Sequence, residues 1–231
     1  MNTHQLTRVE VTLRGSIPAR VKGYASEKIS ALLHLSPMPV VRARVVLTRT
    51  HHRAVDQHVI AEATLDLNGR PVRAQVAAAT SHEAVDLVRD RLRRKLSQLG
   101  RHPADLGGRL RFRKPAFAQL PAEEREMRRH KAYQPAVATP EEAASDMELM
   151  DYDFQLFTDA VSGWDAVVFR QHDGYGVSYL PDQPRLTTET AIDALDATDW
   201  PYLFYRDEDS NRGNVLYRRH DGNYGLITPA E

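Results

Sequence analysis

The sequence contains no cysteine. That excludes a disulfide framework, a thiolate metal site and a cysteine nucleophile, and it fits a reducing compartment. Aromatic residues are few and unevenly placed, with Tyr24 the only one before Phe112. The first half therefore has no set of rings on which single-stranded bases could stack. No run approaches the roughly 18 apolar residues that span a bilayer, and Met1 to Gln5 is too polar for a signal peptide. There is no glycine-rich phosphate loop, nucleophile elbow or paired-histidine helix motif. The expectation is a cytoplasmic, non-enzymatic protein with no cofactor, no metal and no membrane partner.

What the chain has is charge, segregated along its length. The net charge is zero, yet residues 1–118 carry 21 Lys and Arg against 9 Asp and Glu, a net of +12. Residues 119–231 carry 10 against 22, a net of −12. A basic half joined to an acidic half implies that only the first faces a polyanion. A length of 231 residues suggests two or three small modules.

In the basic half, Leu6 to Leu13 opens with polar–apolar alternation and reads as a strand. Ser16 followed by Pro18 reads as a capped helix start. Val21, Ala25, Ile29 and Leu32 share one face of that helix, with Arg20, Lys22 and Lys28 off it. Three alternating segments follow. Val41, Ala43, Val45 and Leu47 oppose Arg42 and Arg44; Val59 to Leu67 comes next; Val72 to Ala78 follows the Asn68-Gly69 hairpin signal. A second helix starts at Thr80, with Glu83 completing a capping box, and ends at Gly100. Its apolar stripe is Val85, Val88, Leu92, Leu96 and Leu99. Its exposed face carries Arg89, Arg91, Arg93, Arg94 and Lys95, offset only by Asp86 and Asp90. This is a candidate phosphate-binding surface, which Arg109, Arg111, Arg113 and Lys114 extend.

The predicted fold class is α+β. The first module is a βαβββα sandwich: an antiparallel four-stranded sheet with two helices on one face, like double-stranded-RNA-binding folds, which read A-form RNA by shape and phosphate position. Its expected span is residues 1–114, followed by a tether over 115–130 where periodicity is lost.

The acidic half contains a duplication. A shift of 48 residues superposes Glu141 on Glu189, Asp151 on Asp199, Phe154 on Tyr202, Asp159 on Asp207 and Val167 on Val215. It closes on Arg170-Gln171-His172-Asp173-Gly174 over Arg218-Arg219-His220-Asp221-Gly222, after which one inserted residue, Asn223, brings Tyr175-Gly176 onto Tyr224-Gly225. The copies, 131–182 and 183–231, each read as a short helix followed by two or three strands. A unit of about 45 residues barely sustains a core alone, so each copy needs a partner for its aromatic face. The candidate pairing residues are Phe154, Phe157, Phe169, Tyr175, Tyr202, Phe204, Tyr217 and Tyr224.

The whole chain resembles the long form of the ribosome hibernation-promoting factor family. The resemblance is carried by Lys131-Ala132-Tyr133-Gln134-Pro135, Thr139-Pro140-Glu141-Glu142-Ala143, Met147-Glu148-Leu149, Asp153-Phe154, Phe157, and the closing Tyr217 to Ile227. It implies that the first module docks on 16S rRNA of the 30S subunit in the decoding region, across the mRNA and tRNA sites. The 70S ribosome would then stay idle under stress or dormancy, with translation inhibited. It also implies that Arg89, Arg91, Arg93, Arg94 and Lys95, with Arg20, Lys22 and Lys28, are rRNA contacts, Arg42, Arg44, Arg111, Arg113 and Lys114 being further candidates. The family's long form joins two ribosomes by pairing C-terminal domains of two chains. A chain with two such domains could pair them internally as a pseudo-dimer, or keep one as a homodimer face. Two other classes compete: a general RNA-binding or RNA-chaperone adaptor, and an RNA-processing enzyme built on His51, His52 and His58 near Asp56 and Glu62.

Overall fold

The computed structural model describes residues 7–49, 59–99, 120–171, 174–198, 200–219 and 221–230. The chain forms two compact units. In the first, strand β1 (Val9–Arg14) leads to helix α1 (Arg20–Leu33), strands β2 (Arg42–Arg49), β3 (Val59–Leu67) and β4 (Arg70–Ala78), and helix α2 (Ser81–Gln98). The sheet order is β1-β2-β3-β4. Alternation decides which face is wet: Ala43, Val45 and Leu47 on β2 and Val59, Ala61, Ala63, Leu65 and Leu67 on β3 are buried. They form one core with Val21, Ala25, Ile29 and Leu32 of α1 and Val85, Val88, Leu92 and Leu96 of α2. Both helices thus cover one sheet face.

Two local expectations are corrected. The sheet is mixed, because β1 pairs parallel to β2 while β2–β3 and β3–β4 are antiparallel. The cause is α1, which carries the chain back across the sheet before β2, so that both strands run the same way. Ser16 does not cap α1, whose N-cap is Ala19 with no side-chain bond; the Val21 amide is taken by the Pro18 carbonyl instead. The hairpin and the start of the second helix are as read. Asn68 and Gly69 adopt positive φ, and the Asp66 carboxylate accepts from the Gly69 amide at 2.6 Å. The Thr80 hydroxyl accepts from the Glu83 amide at 3.2 Å.

The second unit holds the two copies. Copy 1 comprises β6 (Val137–Ala138), α3 (Pro140–Leu149), β7 (Phe154–Asp159), β8 (Asp165–Gln171) and β9 (Gly174–Tyr179). Copy 2 repeats it as β10 (Arg185–Leu186), α4 (Thr188–Asp196), β11 (Tyr202–Asp207), β12 (Gly213–Arg218) and β13 (Tyr224–Pro229). Each helix starts at a threonine cap: Thr139 exchanges bonds with Glu142, and Thr187 accepts from the Thr190 amide. Each sheet packs its own helix on one face. Ala143, Ala144 and Met147 of α3 meet Phe157, Ala166 and Val168; Ala191 and Leu195 of α4 meet Tyr205, Leu216 and Leu226.

The tether reading also needs correction. Residues 127–133 form a strand, β5 (Met127–Tyr133), pairing parallel with β13 at the edge of the copy 2 sheet. Its charged residues hid it, since nearly every position of an edge strand is exposed and no alternation survives. The inserted Asn223 serves this junction, its side chain accepting from the Glu126 amide at 3.0 Å.

Leu92 is fully buried in the first unit. Leu92→Ala should cost that unit about 2–5 kcal/mol, read as an earlier first transition in urea while the transition of the second unit stays in place.

Candidate functional site

Two surfaces are candidates, one in each unit. On the first unit, the buried stripes of α1 and α2 leave their cations outward. Arg20, Lys22, Arg93 and Arg94 are exposed and have no carboxylate partner among the described residues. Arg91 and Lys95, one turn apart on α2, are only partly exposed and are held by the buried Asp151 carboxylate at 2.7 and 3.2 Å, which corrects their reading as free face cations. Lys28 and Arg89 are held instead at the seam between the helices. Asp86 accepts a hydrogen bond from the Tyr24 hydroxyl at 2.9 Å and lies 3.9 Å from Lys28 and 3.7 Å from Arg89. Arg89 also binds Asp90 at 2.6 Å, a contact that raises its guanidinium further above its ordinary value. These acids hold Lys28 and Arg89, while Arg20, Lys22, Arg93 and Arg94 are left exposed.

Arg42 and Arg44 lie apart from that face. They alternate with buried Ala43 and Val45, so they project from the opposite side of the sheet, where Glu10 takes Arg42 at 3.1 Å and Arg44 at 3.6 Å. The Arg42 guanidinium holds the Glu10 carboxyl below its usual range. Arg111, Arg113 and Lys114, like His51, His52, Asp56 and His58, lie outside the described residues. Glu62, grouped with those histidines in sequence, binds Arg73 at 2.6 Å.

In the second unit the decisive feature is a layer between the two sheets. Leu156, Val167 and Leu180 of the first copy and its link meet Phe204 and Val215 of the second, flanked by Tyr133, Phe154, Phe169, Tyr202 and Ile227. The layer is pseudo-two-fold. Phe154 and Tyr202, equivalent under the 48-residue offset, pack ring to ring with centroids 4.5 Å apart. Phe154 also contacts Tyr217 at 5.8 Å, and its mirror pair, Phe169 with Tyr202, lies at 6.2 Å. Such reciprocal contacts are the mark of an isologous interface, here made within one chain. β5 reinforces it: belonging in sequence to copy 1, it completes the copy 2 sheet, and the Tyr133 hydroxyl donates to the Leu156 carbonyl at 2.8 Å.

Of the aromatic candidates, Phe154, Phe169, Tyr202, Phe204 and Tyr217 are brought together in this layer. Phe157 and Tyr175 face α3, and Tyr224 faces α4, inside their own copies. Strand parity explains the division, because Phe154 and Phe157 are three residues apart and point to opposite faces. The repeated arginine was missed as a structural residue. Arg170 donates to the Tyr152 carbonyl, and its counterpart Arg218 to the Leu195 and Thr198 carbonyls, tying the exit of each helix to its sheet. The repeated Tyr-Gly is explained by close approach: a Cβ at Gly225 would lie 2.3 Å from the Tyr217 ring, and one at Gly176 would lie 2.5 Å from the Phe169 ring.

Comparisons with known proteins divide the chain the same way. The profile described as Sigma 54 modulation protein / S30EA ribosomal protein matches residues 7–101. The profile described as Sigma 54 modulation/S30EA ribosomal protein C terminus matches twice, over 122–177 and 182–226. A dormancy associated translation inhibitor of Mycobacterium tuberculosis is 33% identical over 213 residues, covering 81% of this chain and 76% of that one. A ribosome hibernation promotion factor of Picosynechococcus is 28% identical over 155 residues, covering 59% of this chain and 75% of that one. The solved N-terminal domain of Thermus thermophilus Protein Y covers 40% of this chain and 98% of its own, at 22% identity and a TM-score of 0.33.

Two measurements check the layer. Phe204→Ala should cost the second unit about 3–5 kcal/mol. Burial pushes the Tyr133 and Tyr202 phenols above their ordinary value, so the folded state favours the neutral form. The resulting stability is complete below about pH 10 and is lost as pH rises beyond it. Alkaline titration should therefore unfold the second unit of wild type more steeply than that of a Tyr202→Phe variant.

Proposed function

The chain belongs to the Sigma 54 modulation/S30EA ribosomal protein family, and from that premise we propose that it is a ribosome hibernation factor acting on single ribosomes. Its first unit docks the α1–α2 face on 16S rRNA of the small subunit, in the decoding region. There it occludes mRNA and tRNA, inhibits translation and stabilises the idle 70S particle during stress. Docking requires binding alone and no catalytic step.

The cations assigned first to rRNA phosphates are the exposed Arg20, Lys22, Arg93 and Arg94, with Arg91 and Lys95 secondary because Asp151 holds them. Lys28 and Arg89 shape the seam between them, and Arg42 and Arg44 are secondary because they occupy the far side of the sheet. Support for backbone rather than base recognition comes from the scarcity of rings beside this face. Tyr24 spends its hydroxyl on Asp86 and its ring on His82 and Lys28.

One observation carries the single-ribosome reading: the aromatic face that each copy would offer to a second chain is already covered by the other copy. An internal partner has an effective concentration in the millimolar range for a short connection, so a second chain at micromolar concentration competes poorly.

If six to ten phosphates are neutralised, affinity for the small subunit should fall roughly 10³–10⁵-fold between about 50 and 200 mM salt. Arg93→Ala with Arg94→Ala should weaken binding and flatten that dependence by about two phosphate contacts. In sucrose gradients the added protein should co-sediment with 70S monosomes. Accumulation of ribosome pairs instead would favour the bridging reading, and failure to ride with ribosomes would leave an RNA-binding adaptor.

A further inference from the structure

The two copies have diverged where they touch. Three pairs of equivalent positions, each related by the 48-residue offset, differ in kind: Leu156 and Phe204, Trp164 and Arg212, Asp165 and Gly213. From these pairs Asp165 of copy 1 meets Phe204, Arg212 and Gly213 of copy 2 at one place in the layer. The Asp165 carboxylate is buried, its side chain 3% exposed. It accepts from Arg212 Nε at 2.7 Å, from the second guanidinium nitrogen at 3.0 Å and from the Gly213 amide at 2.8 Å. A Cβ on Gly213 would lie 2.9 Å from the Cβ of Asp165 and 2.7 Å from the Phe204 ring. Asp165 and Gly213 are equivalent residues meeting face to face across the pseudo-two-fold axis, so only one of them can carry a side chain.

We propose that this trio is a specificity lock: the face of copy 1 fits the face of copy 2 and rejects both its own duplicate and a second copy 2. The inference rests on the internal pairing argued above and names what enforces it. In a pairing of copy 1 with copy 1 from a second chain, Asp165 would face Asp165. Two buried carboxylates would then collide sterically and repel each other, with no guanidinium to share. In a pairing of copy 2 with copy 2, glycine would face glycine. The layer would hold a void, two arginines would lack their carboxylate, and two Phe204 rings would compete for the space that Leu156 leaves to one. In the observed arrangement a bidentate, charge-assisted bond and a fitted ring replace both faults. Trp164, the counterpart of Arg212, is 45% exposed, so copy 1 has no cation to offer at that position. The lock is asymmetric by construction.

The test is a swap in the full chain, read by thermal unfolding of the second unit. Phe204→Leu, Arg212→Trp and Gly213→Asp together give both copies the copy 1 face, and should lower its Tm by roughly 10 °C or more. Adding Leu156→Phe, Trp164→Arg and Asp165→Gly restores complementarity with the roles exchanged, and Tm should return to within a few degrees of wild type, about the scale of a 1 kcal/mol change. A merely structural role for these residues would make six substitutions worse than three. If the triple variant does not fold, Arg212→Ala keeps the backbone intact and should still lower Tm, with Arg212→Lys recovering only part. An unchanged Tm in the triple variant, or no recovery in the six-fold swap, overturns the lock. Melting of the wild-type chain should be independent of protein concentration. A Tm that rises with concentration would mean that chains pair with each other, and would overturn the internal-pairing reading itself.

Discussion

A small four- or five-stranded sheet has two faces, and one short helix covers only one of them. That constraint governs the second unit. In each copy Ala143 or Ala191 seats the helix on one face, while Phe154 or Tyr202 is left on the other. Exposing that face would leave a contiguous apolar patch of the kind that marks an interaction site. The chain resolves this by carrying two copies and turning the bare faces toward each other. The remaining features follow from it: β5 crossing to the far sheet, Tyr133 bonding the Leu156 carbonyl, and glycines beneath Tyr217 and Phe169 that let their rings lie flat.

Charge is partitioned to match. In the first unit Asp86 and Asp90 are spent on Lys28 and Arg89 at the helix seam, and Glu10 on Arg42 and Arg44 on the sheet side. Three carboxylates of the second unit serve it internally. Asp165 serves the layer between copies. Asp196 holds Arg125 and Arg218 and takes a hydrogen bond from Tyr224, and Asp221 orders the turn before β13.

Much of this was legible in the sequence because the signals were local or periodic. Alternation located β2, β3 and β4 and assigned their buried faces; Asn68-Gly69 and Thr80 announced a turn and a cap; the constant offset revealed the copies. What escaped depended on partners far away in sequence. The direction of β1 relative to β2 is set by the path of α1 and not by any residue of either strand. β5 carries the composition of a tether and becomes a strand only because β13 offers an edge. Among the aromatics, composition alone could not separate Phe154 from Phe157, although strand parity could have. The lock at Asp165 was invisible for a different reason. Aligning the copies rewards what they share, whereas the pairing is specified by where they differ.

Internal pairing of the two copies makes the chain self-sufficient. The most direct measurement is the solution mass of the full-length protein by sedimentation equilibrium across the micromolar range. Internal pairing predicts a single species of 26.1 kDa at every concentration. A reversible shift toward twice that mass as concentration rises would contradict it.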